Sequence, residues 1–459
     1  MYATDNTTFM SGLGLAFVLA MGFLMLVLPR RYALLPVVAM VCYMTMGQRV
    51  MVAGLNFTLI RILLLFGLMR VVFRGEVQAG SFNRIDRILV WWVLSSIVTY
   101  TLLWKTSEAF VNRLGLAYDA LGLYFIFRVL IQDVEDMRTV LRQFAWLAVP
   151  LAICMLIEKS TGRNPFAALG GVPPETLLRE GVLRCQGPFG HPILAGTFGS
   201  ALIPLFAGLW SQQKNRSLAV LGMLSGGAIT FASGSSGPLM AAVVGITAVV
   251  LWPMRRNMRF VRWCLGLTVI GLHLAMAAPV WFILARVGIF GGSTGYHRAI
   301  LIDHAVRNFS EWWLIGTYST AHWGYYMFDV TNQYVLIGVQ GGILTLGFFV
   351  MIIVRCFSAV GCAVREWGDG HAIEQKLAWA MGASLIVHAV NYISVPYFDQ
   401  NIVNWYLLLA MIATIGQIPK GSLQAADPQL RAKNSAHGPE FAFASPSGSR
   451  GMPAPHRAA

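Results

Sequence analysis

The chain has 459 residues, of which 56% are hydrophobic and only 12% are charged, and its formal net charge is +14. Apolar runs of near-spanning length recur from end to end, which is typical of a polytopic membrane protein and excludes an ordinary soluble fold. The positive charge fits the retention of Lys and Arg in cytoplasmic loops, so nucleic-acid binding is not indicated.

The predicted fold class is all-α, with about 12 to 13 transmembrane helices and two larger outer loops. The weakest of the predicted spans is the second, which is short and contains Pro36. In chain order the runs are 10–28, 33–47, 51–73, 88–104, 110–130, 143–158, 192–210, 217–233, 236–253, 263–283, 332–354, 377–394 and 402–418.

The basic residues predict the orientation and the domain limits. Placing the N-terminus outside puts most of the 34 Lys and Arg residues on the inner side, as the positive-inside rule requires. Residues 1–420 are predicted to form the transmembrane domain. Residues 421–459 are rich in Ala, Ser, Pro and Gly, which predicts a disordered cytoplasmic tail.

Two predicted outer loops are longer than a helix connection requires, which favours a functional role. The first, 159–191, ends in LRCQGPFGHP, a Gly- and Pro-rich stretch that predicts irregular backbone after Arg184. An Arg held in this way presents several directed donors to a phosphate, although an Arg that snorkels to lipid headgroups is an equal alternative. His191 in the same stretch is a second predicted substrate-binding residue.

The second long loop, 284–331, contains a predicted amphipathic helix that lies on the membrane or caps a cavity. Arg307 has a local partner in Asp303 four residues earlier, whereas Arg298 has no comparable acidic neighbour. Arg298 is therefore the better candidate for binding a ligand. The predicted apolar face consists of Ala299, Ile302, Val306, Phe309 and Trp313.

Polar residues within the spans are few. Arg61, Arg113 and Asp119 are expected to face the bundle interior or water, and pairing with one another or with backbone is the favoured explanation. The segment SGSSGP, 233–238, is either a flexible hairpin, which we favour, or a nest of amides for an anion.

One stretch, DVTNQYVLIGVQGGILT from Asp329, leads polar residues directly into a glycine-bearing helix. Together with the outer arginines it resembles the O-antigen ligase and polymerase-like membrane glycosyltransferases over roughly residues 110–400. In that family a His-Asn pair is followed at fixed spacing by Gly and then by Gly, Thr or Tyr. Asn332, Gly342 and Thr345 fit this spacing, while Thr331 stands at the position of the functional His.

A Thr hydroxyl cannot replace an imidazole as a base near neutral pH. Two nearby residues are therefore candidate catalytic bases, Asp329 and His322, and Asp329 is favoured because partial burial there would raise its pKa. The alternative role for Asp329 is to cap the helix that begins near Asn332.

The resemblance implies a GT-C-like fold and transfer or polymerisation of glycan at the outer face of the bacterial cytoplasmic membrane. The donor is a polyprenyl-pyrophosphate-linked glycan and the acceptor is a sugar hydroxyl, in O-antigen or exopolysaccharide biosynthesis. Arg184, Arg298, His191 and Asn332 would bind substrate, and no metal or other cofactor is expected. The alternatives are a transporter or flippase of lipid-linked glycan or another anionic solute, and a purely structural scaffold.

Overall fold

A computed structural model describes residues 10–52, 55–76, 82–286 and 294–418. The described residues up to Gln417 form one compact unit, and the predicted tail, 421–459, lies outside the described residues. The described ranges contain sixteen α-helices, several short 3-10 turns and two antiparallel β-hairpins. The helices are α1 (Gly12–Val27), α2 (Leu35–Tyr43), α3 (Leu59–Phe73), α4 (Arg84–Trp104), α5 (Ser107–Leu130), α6 (Val134–Thr161), α7 (Pro192–Leu209), α8 (Arg216–Ala232), α9 (Ser236–Val250), α10 (Met258–Ala275), α11 (Ile283–Arg286), α12 (Thr294–Arg307), α13 (Phe309–Trp312), α14 (Gln333–Glu366), α15 (Ala372–Asn391) and α16 (Gln400–Ile415), and the strands are β1 (Arg49–Val52), β2 (Leu55–Thr58), β3 (Leu177–Arg179) and β4 (Val182–Arg184).

Five of the described helical segments are long and apolar enough to cross a membrane. Helices α1, α9 and α16 are apolar but shorter. A hydrocarbon layer of about 30 Å requires about 20 helical residues, so length and composition agree with membrane embedding for the five longer segments. The exact number of crossings stays a prediction. The five are Arg84–Trp104, Val134–Thr161, Pro192–Leu209, Trp252–Ala275 and Gln333–Glu366.

Every predicted run contains a helix, in agreement with the predicted helical fold class, but the structure corrects two boundaries and adds two short β-hairpins in the described residues. Run 51–73 begins in the β1–β2 hairpin and becomes helical only at Leu59. An apolar run alone does not distinguish a strand from a helix, which explains this error. Run 263–283 ends early, since α10 stops at Ala275, shortly before Pro279. Proline has no N–H and disfavours helical backbone in the residue before it.

Helices α7 and α16 form the centre of the described fold, and nearly all of their residues are buried. Polar side chains join α15 to α7 along this core. Ser384 Oγ donates to the carbonyl of Ala201 at 2.8 Å, and Asn391 Nδ2 donates to Ser200 Oγ at 3.1 Å. Small and polar residues of this kind hold apolar helices together where lipid supplies no hydrophobic driving force.

The charged residues predicted inside the bundle have protein partners. Arg61 makes two hydrogen bonds to the Asp119 carboxylate, at 2.8 and 2.7 Å. Arg113 donates to Gln340 Oε1 at 3.0 Å and lies 3.6 Å from the centre of the Tyr100 ring. These contacts confirm the predicted pairing for Arg61 and Asp119, and they show that Arg113 pairs with neutral groups instead.

Helix α14 contains two adjacent glycines, Gly341 and Gly342, and its helical backbone is broken at Gly342. Gly342 has φ +71° and ψ −177°, so the backbone there is not helical. The loop after α13 fills the break, because the amide of Ile343 donates to the Trp313 carbonyl and the amide of Thr317 donates to the Val339 carbonyl. Broken backbone at membrane depth is tolerated when protein satisfies the freed groups in this way.

Candidate functional site

A cavity of about 840 Å³ lies among the connections that the sequence predicts on the outer side. Both long loops contribute to it, together with the α8–α9 connection and the segment after α15. Three arginines and two acidic residues line it, so the wall carries an excess of positive charge. These charged residues are Arg179, Arg184, Arg298, Glu180 and Asp329.

The N-terminus of α9 forms one wall of this cavity. Ser233 has right-handed helical backbone and Gly234 has φ +55°, so two successive residues have the alternating conformation of an anion-binding nest. Gly234 also packs closely against β4, since a Cβ there would lie 3.1 Å from the Leu183 carbonyl oxygen. The hairpin interpretation of 233–238 was therefore incomplete, because the segment ends in the first turn of a helix.

The start of α9 has two backbone amides without a partner inside the helix, those of Ser236 and Gly237, because the next residue is Pro238, which has no N–H. The N-cap residue Ser235 makes no side-chain capping bond to them. Ser235 and Ser236 both line the cavity. A helix N-terminus attracts negative charge through these amides and through its dipole.

Arg184 ends β4 and lies against this helix terminus. Its Nη2 donates to Ser235 Oγ at 2.8 Å, while its Nε is buried without a partner among the described residues. Burial, followed by the charge of Arg179, lowers the pKa of Arg184. The irregular backbone predicted after Arg184 is confirmed, because no helix begins until Pro192.

Arg298 projects from α12 towards the same helix terminus. Its Nη2 lies 3.6 Å from the position that a Cβ at Gly237 would occupy. Within the described ranges its guanidinium has no ion pair or hydrogen bond. Burial, followed by the charges of Arg184 and Arg179, lowers the pKa of Arg298 to about 10, so the side chain stays cationic at neutral pH.

The predicted local pair on α12 is confirmed, and the predicted apolar face is only partly covered by protein. Arg307 Nε lies 2.6 Å from Asp303 Oδ2 and its side chain is 73% exposed. Leu301 and Ala305 are buried together with Ala299. The other residues of the predicted apolar face are less covered by protein, since Ile302 is only partly buried and Val306, Phe309 and Trp313 are exposed.

His191 lines the cavity as the N-cap of α7. Its Nδ1 accepts a hydrogen bond from the Ile193 amide at 3.1 Å, which leaves Nε2 as the protonated nitrogen of the neutral ring. Burial, followed by the charges of Arg184 and Arg179, lowers the pKa of His191 to about 4. The imidazole is therefore a neutral hydrogen-bond donor at pH 7.

The two predicted bases lie in different surroundings. Asp329 lines the cavity and its side chain is exposed, so the predicted partial burial is wrong. Its backbone carbonyl contacts His297 Nε2 at 3.2 Å, and its carboxylate has no hydrogen bond within the described residues. His322 is not part of the cavity wall and its Nε2 lies 2.8 Å from Glu311 Oε2.

Asn332 is buried at the start of α14 and serves as its N-cap. Its Oδ1 accepts from the amides of Tyr334 and Val335, and its Nδ2 donates to the Ile393 carbonyl. Asn332 is absent from the cavity lining, whereas Thr331 is present and its buried Oγ1 has no partner in the described structure. The capping role considered for Asp329 therefore belongs to Asn332.

Sequence reasoning did not select several residues that line the cavity. His304 faces it from α12, one turn and a half after Arg298, with no side-chain hydrogen bond among the described residues. The periodicity of α12 placed His304 on the polar face, but it did not show what that face contacts. Other wall residues not selected are Arg179, Ser235, Ser236, Tyr296, His297, Tyr325 and Tyr326.

A second cavity of about 230 Å³ lies between α4, α5, α14, the segment after α15 and α16. Arg113, Gln340 and Thr345 are in its wall. Thr345, which fits the spacing of the family motif, is thus placed beside Gly341 in the bundle interior, away from the cavity that holds Arg184 and Arg298.

The described chain is accordingly a mostly helical protein with long apolar helices and a cavity suited to an anion. Comparisons of the sequence with protein-family profiles and with characterised proteins give no match.

Proposed function

We propose that the protein is a polytopic membrane glycosyltransferase that moves a glycan from a polyprenyl-pyrophosphate carrier to a sugar hydroxyl. The observation that carries the proposal is the pair of arginines, Arg184 and Arg298, that converge on the amides of α9 without any carboxylate partner among the described residues. Buried cations are costly unless an anion compensates them. A ligand with several negative charges supplies that compensation.

A pyrophosphate matches this arrangement in charge and in hydrogen-bonding capacity. Guanidinium groups donate paired hydrogen bonds to phosphate oxygens, and helix amides add further donors. His191 contributes a neutral donor at the same wall. We assign the pyrophosphate to the space bounded by Arg184, Arg298 and the N-terminus of α9.

The same groups favour the reaction as well as binding. When the bond between the anomeric carbon and the phosphate oxygen breaks, its electron pair leaves with the pyrophosphate. Negative charge on the leaving group therefore grows in the transition state, where fixed cations and amides stabilise it most. The acceptor oxygen forms the new bond to the anomeric carbon and loses its proton.

Asp329 is the proposed acceptor of that proton. Its exposed carboxylate faces the cavity without a hydrogen-bond partner among the described residues, so it is free to bind an acceptor hydroxyl. His304 lines the same wall and is the second candidate. His322 is less suitable because it pairs with Glu311 away from this cavity.

The proposed setting is the outer face of a bacterial cytoplasmic membrane, with the cavity towards the periplasm. The long apolar helices support membrane embedding, and the excess of basic residues in the other connections supports this orientation. The product would be an O-antigen or exopolysaccharide.

A deletion strain complemented with variants tests the proposal. Wild type is expected to restore the glycan and remove accumulated lipid-linked intermediates, whereas Arg298→Ala is expected to lower product formation roughly hundredfold. Arg298→Lys should rescue only part of the activity, because Lys keeps the charge and loses the planar fork. Arg307→Ala is the matched control on α12, since Arg307 is exposed and pairs with Asp303.

Normal glycan in a correctly inserted Arg298→Ala protein would overturn the assignment. A transporter would give a different result, namely lipid-linked glycan retained on the inner leaflet, where it cannot reach a transfer reaction at the outer face. Mass spectrometry of extracted lipids, combined with surface labelling of the lipid-linked glycan, distinguishes the two.

A further inference from the structure

Exposed tyrosines surround the mouth of the cavity. Tyr325 is 86% exposed, Tyr296 is 55% exposed and Tyr326 is 53% exposed, and all three line the cavity. Large aromatic side chains lose apolar contact when they face water, so a cluster of them at a cavity entrance indicates a ligand surface.

The backbone holds Tyr325 and Tyr326 in this outward position. Tyr326 has φ +58°, a conformation that side chains rarely adopt, and the next residue, Met327, is buried in the core beneath. Thr320 Oγ1 donates to the Met327 carbonyl at 2.6 Å, and the Asp329 amide donates to the Tyr326 carbonyl. Strained backbone conformations of this kind are concentrated at functional sites.

The two rings are packed edge to face. Their centroids lie 4.4 Å apart with an interplanar angle of 87°, which is the preferred geometry for an aromatic pair. The Tyr326 ring also packs on Phe328, with centroids 5.6 Å apart and an interplanar angle of 36°. Most of the Tyr325 ring stays available at the entrance.

Hydrogen-bonding groups lie on the same wall. Asp329 and His304 have side chains free of partners in the described structure, and His297 is beside them. A pyranose ring has one face of C–H groups, which packs on an aromatic ring, and a rim of hydroxyls, which bind carboxylate and imidazole groups. The combination of bare aromatic faces and free polar groups is the one that a sugar requires.

We infer that Tyr325, Tyr326 and Tyr296 form a pyranose-binding subsite that positions the glycan chain at the cavity entrance. This inference rests on the proposed function and names the part of the substrate that these residues contact. The sugar belongs either to the donor chain or to the acceptor chain, and the experiment distinguishes these sources.

The test compares Tyr325→Ala with Trp313→Ala in the deletion strain. Trp313 is the matched control, because it is an aromatic side chain of the same long loop that is 45% exposed and does not line the cavity. Initial transfer rates are measured in solubilised membranes while the extracted lipid-linked glycan and the acceptor are titrated separately. Tyr325→Trp keeps an aromatic face and serves as the rescue variant.

We expect Tyr325→Ala to raise the half-saturating concentration of one substrate roughly three- to tenfold, with a maximal rate close to wild type. The substrate whose saturation shifts is the one that carries the bound sugar. Trp313→Ala should leave both titrations unchanged, and Tyr325→Trp should restore wild-type saturation.

Two results would overturn the inference. Equal losses in Tyr325→Ala and Trp313→Ala would assign the aromatic residues to a membrane-interface belt, and unchanged saturation in Tyr325→Ala would exclude sugar contact. If the proposed glycosyltransferase function itself were wrong, the wild-type protein would not restore glycan transfer in the deletion strain. That result differs from both of the outcomes above.

Discussion

Gly342 and Leu314 are in closer contact than any residue with a side chain would permit. A Cβ at Gly342 would lie 2.2 Å from the Leu314 carbonyl oxygen. The loop after α13 therefore enters the break in α14 only because this position is glycine, and the second long loop is fixed to the bundle there.

Gly342→Ala is expected to destabilise the protein strongly, because the added methyl meets the Leu314 backbone and the positive φ disfavours Ala. We expect a loss of about 2 kcal/mol or more of unfolding free energy, measured by thermal unfolding in detergent. Gly347→Ala in the same helix is the control, since a Cβ there meets nothing within 4 Å and Ala favours the helix. Equal unfolding temperatures for the two variants would contradict the packing argument.

Asp329→Asn is expected to lower glycan transfer by about a hundredfold or more, because the amide accepts no proton. Thermal stability should not change, since Asp329 is exposed and Asn332 caps α14. His322→Gln is the comparison, and it should transfer glycan normally because His322 pairs with Glu311 outside the cavity wall. If the two results were reversed, His322 and not Asp329 would be the base.

Asn332→Ala tests whether the motif residue is structural. Loss of its two amide contacts at the start of α14 should cost about 1 kcal/mol of stability. Asn332→Asp keeps the accepting oxygen and should retain most of that stability. Unfolding temperature and the transfer rate per folded molecule are measured together. A rate that falls while the fold is intact would assign Asn332 to the substrate site instead.

Asp399 makes stability depend on pH. Burial raises the pKa of Asp399 to about 6, whereas an unfolded Asp titrates near 3.9. Below about pH 4 the carboxyl is protonated in both states and costs nothing. As the pH rises from about 4 to 6 the unfolded state ionises first, so the folded state loses stability, and the loss persists at higher pH.

Asp399→Asn is therefore expected to stabilise the protein by roughly 2 kcal/mol at pH 8 and to have little effect at pH 4. Thermal unfolding at the two pH values measures the difference. A stabilisation of the same size at both would mean that backbone strain, and not ionisation, is responsible, since Asp399 has φ +53°.

Thiol labelling tests the orientation. In a background without native cysteines, Leu178→Cys in β3 should react with a membrane-impermeant reagent applied to intact cells, because the cavity loops are proposed to face outwards. Ser217→Cys near the start of α8 should react only after lysis. Both positions are exposed, so accessibility within the fold does not limit either reaction. The reverse pattern would invert the proposed topology.

The sequence by itself determined the features that depend on neighbours along the chain. Apolar runs gave the helices, because a helix in an apolar setting satisfies its own backbone and needs only composition and length. The Asp303–Arg307 pair was predictable for the same reason, since four residues bring side chains together on one helix face.

Tertiary structure alone decided which of these surfaces meet. The periodicity of the sequence predicts an apolar face on α12. In a membrane-embedded chain, an apolar side chain has a similar free energy whether it packs against protein or faces lipid. Periodicity therefore does not determine that Leu301 is buried and Val306 is exposed. The convergence of Arg184 and Arg298 on the N-terminus of α9 joins residues more than a hundred positions apart. No local pattern encodes that contact, because it depends on how the long loops pack against the bundle.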